Sequence, residues 1–117
     1  MTSRKTIRVG ILGAGYAARF HFEALKHVTC APVEIAGAYS PTREKLEQYT
    51  AQRDIKAFGS ADELIENSDV IHLCTPPSTH EELAIKCLYR NRHVIVEKPL
   101  TGYFGDGTDE FSGDTFP

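Results

Sequence analysis

The sequence predicts an α/β fold built as a doubly wound parallel sheet, with strand order 3-2-1-4-5. Three observations predict it. Apolar runs alternate with stretches of helical periodicity from residue 7 to residue 99. The first run, Ile7–Leu12, breaks into a glycine-rich turn and then becomes helical. The run 70–74, apolar but for His72, is of the sort found in a central parallel strand buried on both faces.

Taken in order, Ile7–Leu12 is the first strand. Behind it Ala17, Phe20, Ala24, Leu25 and Val28 recur at helical spacing and are expected to face inward, with Arg19, Glu23 and Lys26 outward. Val33–Tyr39 is the second strand, and Ser40-Pro41-Thr42 turns the chain into a helix whose inner face carries Leu46 and Tyr49. Residues 56–58 are expected to form a short third strand. Ser60 with Glu63 makes a capping box for a short helix that buries Leu64 and Ile65 and ends at Asn67 and Ser68. Residues 70–74 are the fourth strand, stopped by Thr75-Pro76-Pro77. A helix over 80–90 buries Ala84, Cys87 and Leu88, and residues 93–96 form the fifth strand, which runs into Glu97-Lys98-Pro99. Right-handed crossovers then place helices on both faces of the sheet. Residues 1–101 read as one domain. Residues 102–117 read as a loop rich in Gly and Asp, without periodicity, and the chain looks cut from something longer.

Composition narrows the classes of function. A chain of 117 residues holds a single core. The net charge of -3 offers no basic field for nucleic acid. All 13 Lys and Arg precede residue 103, whereas Asp106, Asp109, Glu110 and Asp114 follow it without a base or the spacing of a calcium loop. Cys30, Cys74 and Cys87 are odd in number and match neither a disulfide framework nor a zinc pattern, so a reducing cytoplasm is the simpler reading. No metal site is expected. His21, His27, His72 and His93 lack partners at ligand spacing, and His72, on a strand, is expected to be a satisfied buried imidazole. No run approaches membrane-spanning length.

In an open parallel sheet ligands bind beyond the carboxyl ends of the strands, so the residues there are the informative ones. At the first, Gly13-Ala14-Gly15-Tyr16-Ala17-Ala18 has the form G-x-G-x-x-A. Gly13 permits the tight turn, Gly15 lets backbone approach a pyrophosphate, and Ala18 lets the helix lie close to the sheet. The helix N-terminus favours an anion without a basic side chain. At the second, Ser40 stands where an acid would grip the ribose 2'-hydroxyl of NAD. Ser40, Thr42 and Arg43 offer hydroxyls and a planar donor fork to a 2'-phosphate, which favours NADP over NAD. The same three residues also suit a turn, a cap and a solvated charge. At the fourth lie Cys74, Thr75, Pro76, Pro77 and His80; His80 either starts the helix or touches a ligand across the loop from Thr75. At the fifth, Lys98 is the candidate catalytic group, where partial burial would depress its pKa and a cis bond to Pro99 would aim it into the cleft. A lysine before proline is also an ordinary strand-ending turn.

These segments together resemble the N-terminal half of the Gfo/Idh/MocA oxidoreductases, named for glucose-fructose oxidoreductase, inositol dehydrogenase and a rhizopine-catabolism protein. The residues that carry the resemblance are Val9 to Ala18, Thr75 to His80, and Glu97-Lys98-Pro99, within residues 6–101. The resemblance implies a Rossmann domain of an NAD(P)-dependent enzyme that moves a hydride to or from a carbon of a sugar, cyclitol or related polyol. It implies that Lys98 orients or helps ionise the reacting hydroxyl near the nicotinamide while Glu97 and Pro99 shape the pocket. It also implies a C-terminal α/β domain that supplies the acid-base histidine, its companion aspartate, the substrate pocket and a homo-oligomer interface. That domain is missing here, so the chain is expected to bind cofactor without turnover. Two departures from the family pattern are Ser40, where many members have an acid, and Gly102 to Pro117, where a helix usually follows the tripeptide. Two other classes compete. A non-catalytic dinucleotide sensor shares the fold but leaves Lys98 without a purpose, and a methyltransferase accounts for the glycine turn but not for Glu97-Lys98-Pro99.

Overall fold

In the computed structural model, which describes residues 5–100, four parallel strands form one sheet. They are β1 (Ile7–Leu12), β2 (Val33–Tyr39), β3 (Val70–Leu73) and β4 (His93–Val96), in the spatial order β2-β1-β3-β4. The helices are α1 (Tyr16–Leu25), α2 (Arg43–Arg53), α3 (Ala61–Glu66) and α4 (His80–Tyr89), with a single 3-10 turn at Pro77–Thr79 before α4. The expected loop at 102–117 lies outside the described residues.

β1 is central because it is apolar on both faces. Ile11 belongs to a core with Ala18 and Phe22 of α1 and Leu46 and Tyr49 of α2. Leu12 belongs to a second core on the opposite face, with Leu64 and Ile65 of α3, Ile71 and Leu73 of β3, and Cys87 of α4. Alternation of side chains along a strand produces the two layers. At the amino ends of the strands Asp69 ties the sheet together. Its carboxylate accepts from the Arg8 backbone N–H at 2.8 Å and from the Arg8 guanidinium at 3.2 Å, and its carbonyl accepts from the His93 N–H.

Three expectations need correction. Residues 56–58 do not form a strand; they make one parallel bridge, Ala38 to Ala57, on the outer edge of β2, where the third strand of the order 3-2-1-4-5 was placed. Only a few residues separate Asp54, which closes α2 in the left-handed conformation, from Ser60, which caps α3, so pairing has no room to extend. The approach itself is close: a Cβ on Gly37 would come within 2.4 Å of the Lys56 carbonyl oxygen. Secondly, α1 turns a different face inward. Ala18 and Phe22 are buried, whereas Phe20 is 66% exposed and Ala24 and Val28 are exposed. Ala17 and Leu25 pack at the margin of the core as expected. Leu88 of α4 is likewise 58% exposed rather than buried.

The remaining local signals are met. Ser60 Oγ accepts from the Glu63 N–H at 3.1 Å, and the Glu63 carboxylate reaches back to the Gly59 N–H at 3.3 Å. Tyr49 crosses from α2 to donate its hydroxyl to the Ala18 carbonyl at 2.7 Å, and burial pushes its pKa up. Among the described residues no helix is long and apolar enough to cross a membrane.

Candidate functional site: a cleft at the carboxyl ends of the strands

The carboxyl ends of β1, β2 and β3 open into a cleft of ≈ 530 Å³. Gly13, Ala14 and Gly15 form its floor, Ser40, Pro41 and Thr42 one wall, and Cys74, Thr75 and Pro76 the other. Gly13 has φ +114, and a Cβ there would sit 2.5 Å from the Cys74 carbonyl oxygen, so glycine is required by the fold itself. Gly15 is different: a Cβ there would meet nothing within 4 Å. The space it leaves is open, as backbone approach to a pyrophosphate needs. Gly15 is the N-cap of α1 and lines the cleft, it gives no side-chain cap, and the first turn carries no acid, so the helix N-terminus has no anion of its own. These features fit a dinucleotide.

The second-strand residues divide. Ser40 and Thr42 line the cleft, but Arg43 does not. Its Nε donates to Glu47 Oε1 at 3.1 Å along α2, its side chain is 90% exposed, and it borders a separate groove with Ser40 and Pro41. Lys45 lines the cleft in its place. Reading along the sequence missed Lys45, although the phase of a helix beginning at Arg43 distinguishes positions two residues apart. Among the described residues, no Asp or Glu lines the cleft.

A second depression of ≈ 390 Å³ shares Thr75 with the first and is lined by Tyr16, Ala17, Phe20, Pro77, Glu97 and Lys98. Tyr16 and Ala17, expected beside the glycine turn, therefore belong to the Lys98 end. So does Phe20, which explains why it points away from the core. Lys98 is exposed rather than partly buried, and the Lys98–Pro99 peptide is cis. The Thr75 loop is held by its own hydroxyls: Thr79 donates to the Pro76 carbonyl at 2.7 Å, which leaves Thr75 as the donor to Thr79 at 2.6 Å.

Two histidines brace this end. His80 is 1% exposed, with Nδ1 2.8 Å from the Pro99 carbonyl oxygen and Nε2 3.0 Å from the Thr75 carbonyl oxygen. Both ring nitrogens are thus engaged inside the protein, so His80 is a strap between two loops rather than a group presented to a ligand. His21 Nε2 contacts Glu97 Oε1, and His21 Nδ1 lies 3.0 Å from His72 Nδ1. Burial lowers the pKa of His72 from 6.5 to about 4, with the neighbouring His21 adding to the effect. A neutral His72 can donate from Nδ1 to His21, while His21 donates from Nε2 to Glu97. That bond holds the Glu97 carboxyl below its usual range. The sequence reading anticipated the buried His72 but not its link through His21 to Glu97. Burial pushes the Cys74 thiol up to about 12 and raises that of Cys87, so neither is an activated nucleophile. Among the described residues no cluster of three or more His, Cys, Asp or Glu is arranged to hold a metal ion.

The sequence model of the Gfo/Idh/MocA oxidoreductases, a family described by its NAD-binding Rossmann fold, matches residues 7–109. The chain belongs to this family. Among its relatives, the glucose-6-phosphate 3-dehydrogenase of Bacillus subtilis is 34% identical over 93 residues, covering 80% of this chain and 26% of its own length. The myo-inositol 2-dehydrogenase of Thermotoga maritima is 36% identical over 99 residues, covering 81% and 29%. The WlbA dehydrogenase of Bordetella pertussis, solved in complex with NADH and UDP-GlcNAcA, superimposes with a TM-score of 0.75 at 27% identity, covering 86% of this chain and 30% of that one. The chain therefore spans roughly a third or less of the length of the relatives it matches. What it shares with them is the Rossmann domain of the family.

Proposed function

We propose that this chain is the cofactor-binding part of an NAD(P)-dependent dehydrogenase acting on a sugar, cyclitol or related polyol. The observation that carries the reading is the continuity at Thr75 between the glycine-turn cleft and the depression holding Lys98. One end accepts the pyrophosphate and adenosine, and the other places a cation beside the nicotinamide. The substrate class follows the relatives that act on glucose 6-phosphate and myo-inositol.

The bound cofactor supplies the hydride acceptor or donor. This chain's residues do the rest of what is available to it. The N–H groups at the start of α1 bind the phosphates, and Thr75 and Pro76 wall the cleft. Lys98 Nζ is the group that orients the reacting hydroxyl and stabilises the charge developing on its oxygen as the proton leaves. Tyr16 and Phe20 supply an apolar border that limits water there. Acid-base residues and a substrate pocket come from a further domain in this reading, so the chain by itself binds cofactor without turnover, and the oligomer forms through that domain.

NADP is accommodated at least as well as NAD. Among the described residues no carboxylate lines the cleft to grip a 2'-hydroxyl or repel a 2'-phosphate, while Ser40, Thr42 and Lys45 offer donors and a positive charge. The deciding experiment is calorimetric titration of the 117-residue chain with NADH, NADPH and S-adenosylmethionine. Saturable binding of a nicotinamide dinucleotide and none of the methyl donor supports the reading. Absence of dinucleotide binding by a folded chain overturns it.

A further inference from the structure

Lys98 is flanked by two residues that are each held by a histidine from elsewhere in the fold. Before it, Glu97 is engaged through its carboxylate by His21 of α1, and His21 is backed by His72 of β3, whose ring meets it edge-to-face at 5.2 Å. After it, Pro99 is engaged through its carbonyl oxygen by His80 at the start of α4, and the same ring reaches the Thr75 carbonyl oxygen. A carbonyl oxygen only accepts, so a hydrogen bond at either contact uses a ring N–H of His80 as the donor. Lys98 itself is exposed.

We propose that His21 and His80 are positioning residues that clamp Glu97 and Pro99 and thereby set Lys98 over the depression it shares with Tyr16 and Phe20. The inference rests on the reading that Lys98 faces the nicotinamide, and it adds the residues that put it there. Three separate elements supply the clamp: α1, β3 and α4. Clamping one residue on each side constrains the Lys98 backbone and so limits the positions its side chain reaches. His80 also couples this placement to the Thr75 loop, so the wall of the cofactor cleft and the lysine move as one unit. His21 lies in the second turn of α1, the helix whose N-cap Gly15 lines the neighbouring cleft, which ties the lysine to that cleft.

The test follows the Lys98 resonance in the full 117-residue chain labelled with 13Cε-lysine, assigned by Lys98→Arg. In the unsubstituted protein NADH should shift this resonance and ADP-ribose, which lacks the nicotinamide, should not. In His21→Leu and His80→Leu the resonance should move toward the position of freely rotating lysines. The NADH-induced shift should fall by at least about twofold, while NADH affinity stays within about twofold of the starting value, because the clamp orients rather than binds. His21→Gln, whose amide reaches Glu97, and His80→Asn, whose amide reaches Pro99, should restore the shift. His21→Asn, one methylene short, should not, and this comparison decides the matter should the leucine variants fail to fold. An unmoved Lys98 resonance in folded His21→Leu and His80→Leu overturns the clamp. If neither NADH nor ADP-ribose binds, the dinucleotide reading fails, and the ligand-free Lys98 resonance still reports on the clamp.

Discussion

Gly13 and Cys74 lie so close that a Cβ on Gly13 would stand 2.5 Å from the Cys74 carbonyl oxygen, so the turn after β1 is moulded against the end of β3. Gly15, two residues on, touches nothing in that way. Gly13→Ala should therefore destabilise the fold, by about 2–3 kcal/mol from overpacking and the positive φ. Gly15→Ala should leave the urea midpoint almost unchanged and weaken NADH binding about 10-fold or more by filling the space left for the pyrophosphate. Denaturation and calorimetry of the two variants separate these roles; equal loss of stability in both would show that Gly15 serves the fold instead.

Lys45 and Arg43 should behave differently although both stand in the first turn of α2. Lys45→Ala is expected to weaken NADPH binding about 3- to 10-fold while changing NADH binding less than about twofold. Arg43→Ala should change neither by more than about twofold, since its guanidinium pairs with Glu47 at the surface. Competition titrations with the two cofactors check this, and a strong preference for NADH in the unsubstituted chain contradicts the NADP argument.

Lys98→Ala should leave cofactor affinity within about twofold, because the phosphates and not the ammonium supply most of the binding at the glycine turn. In a longer protein carrying the acid-base domain, the same substitution should lower kcat by roughly 100-fold or more. Stopped-flow measurement of hydride transfer in that protein provides the number. An unchanged kcat would remove Lys98 from the chemistry.

Stability should fall as the solution is acidified from pH 6.5 toward 4. His72 has its pKa lowered to about 4 in the folded chain, so below 6.5 the unfolded state takes up the proton first. The contribution is complete above 6.5, declines through the window, and levels off below 4, amounting to at most about 3 kcal/mol for a shift of that size. Glu97, Asp69 and Asp62, whose carboxyls are held below their usual range, lose their contributions at still lower pH. Urea titrations between pH 4 and 7.5 should show this slope in the parent chain and a flatter one in His72→Asn.

Much of this was legible from residue order because the signals are local. The apolar runs at Ile7–Leu12 and 70–74, the glycine turn, and the Ser60 and Glu63 box each depend on neighbours within a few positions, and each forms as expected. Residues 56–58 make one bridge and not the expected strand, because a short run says nothing of how far its partner edge is free to pair. The inward face of α1 differs from the expected one because Phe20, apolar by type, borders the depression beside Lys98 instead of the core.

Residue types at the strand ends, read alone, determined the fold class, the glycine turn and the candidate lysine, since backbone geometry and hydrophobic periodicity are written in consecutive positions. The grouping of Lys98 with Tyr16 and Phe20, the replacement of Arg43 by Lys45 in the cleft, and the contact of His21 with Glu97 across 76 positions came from folding. Parallel strands joined by crossovers bring all their carboxyl ends to one edge, so groups far apart in the chain meet there, and which of them touch depends on helix phase and packing.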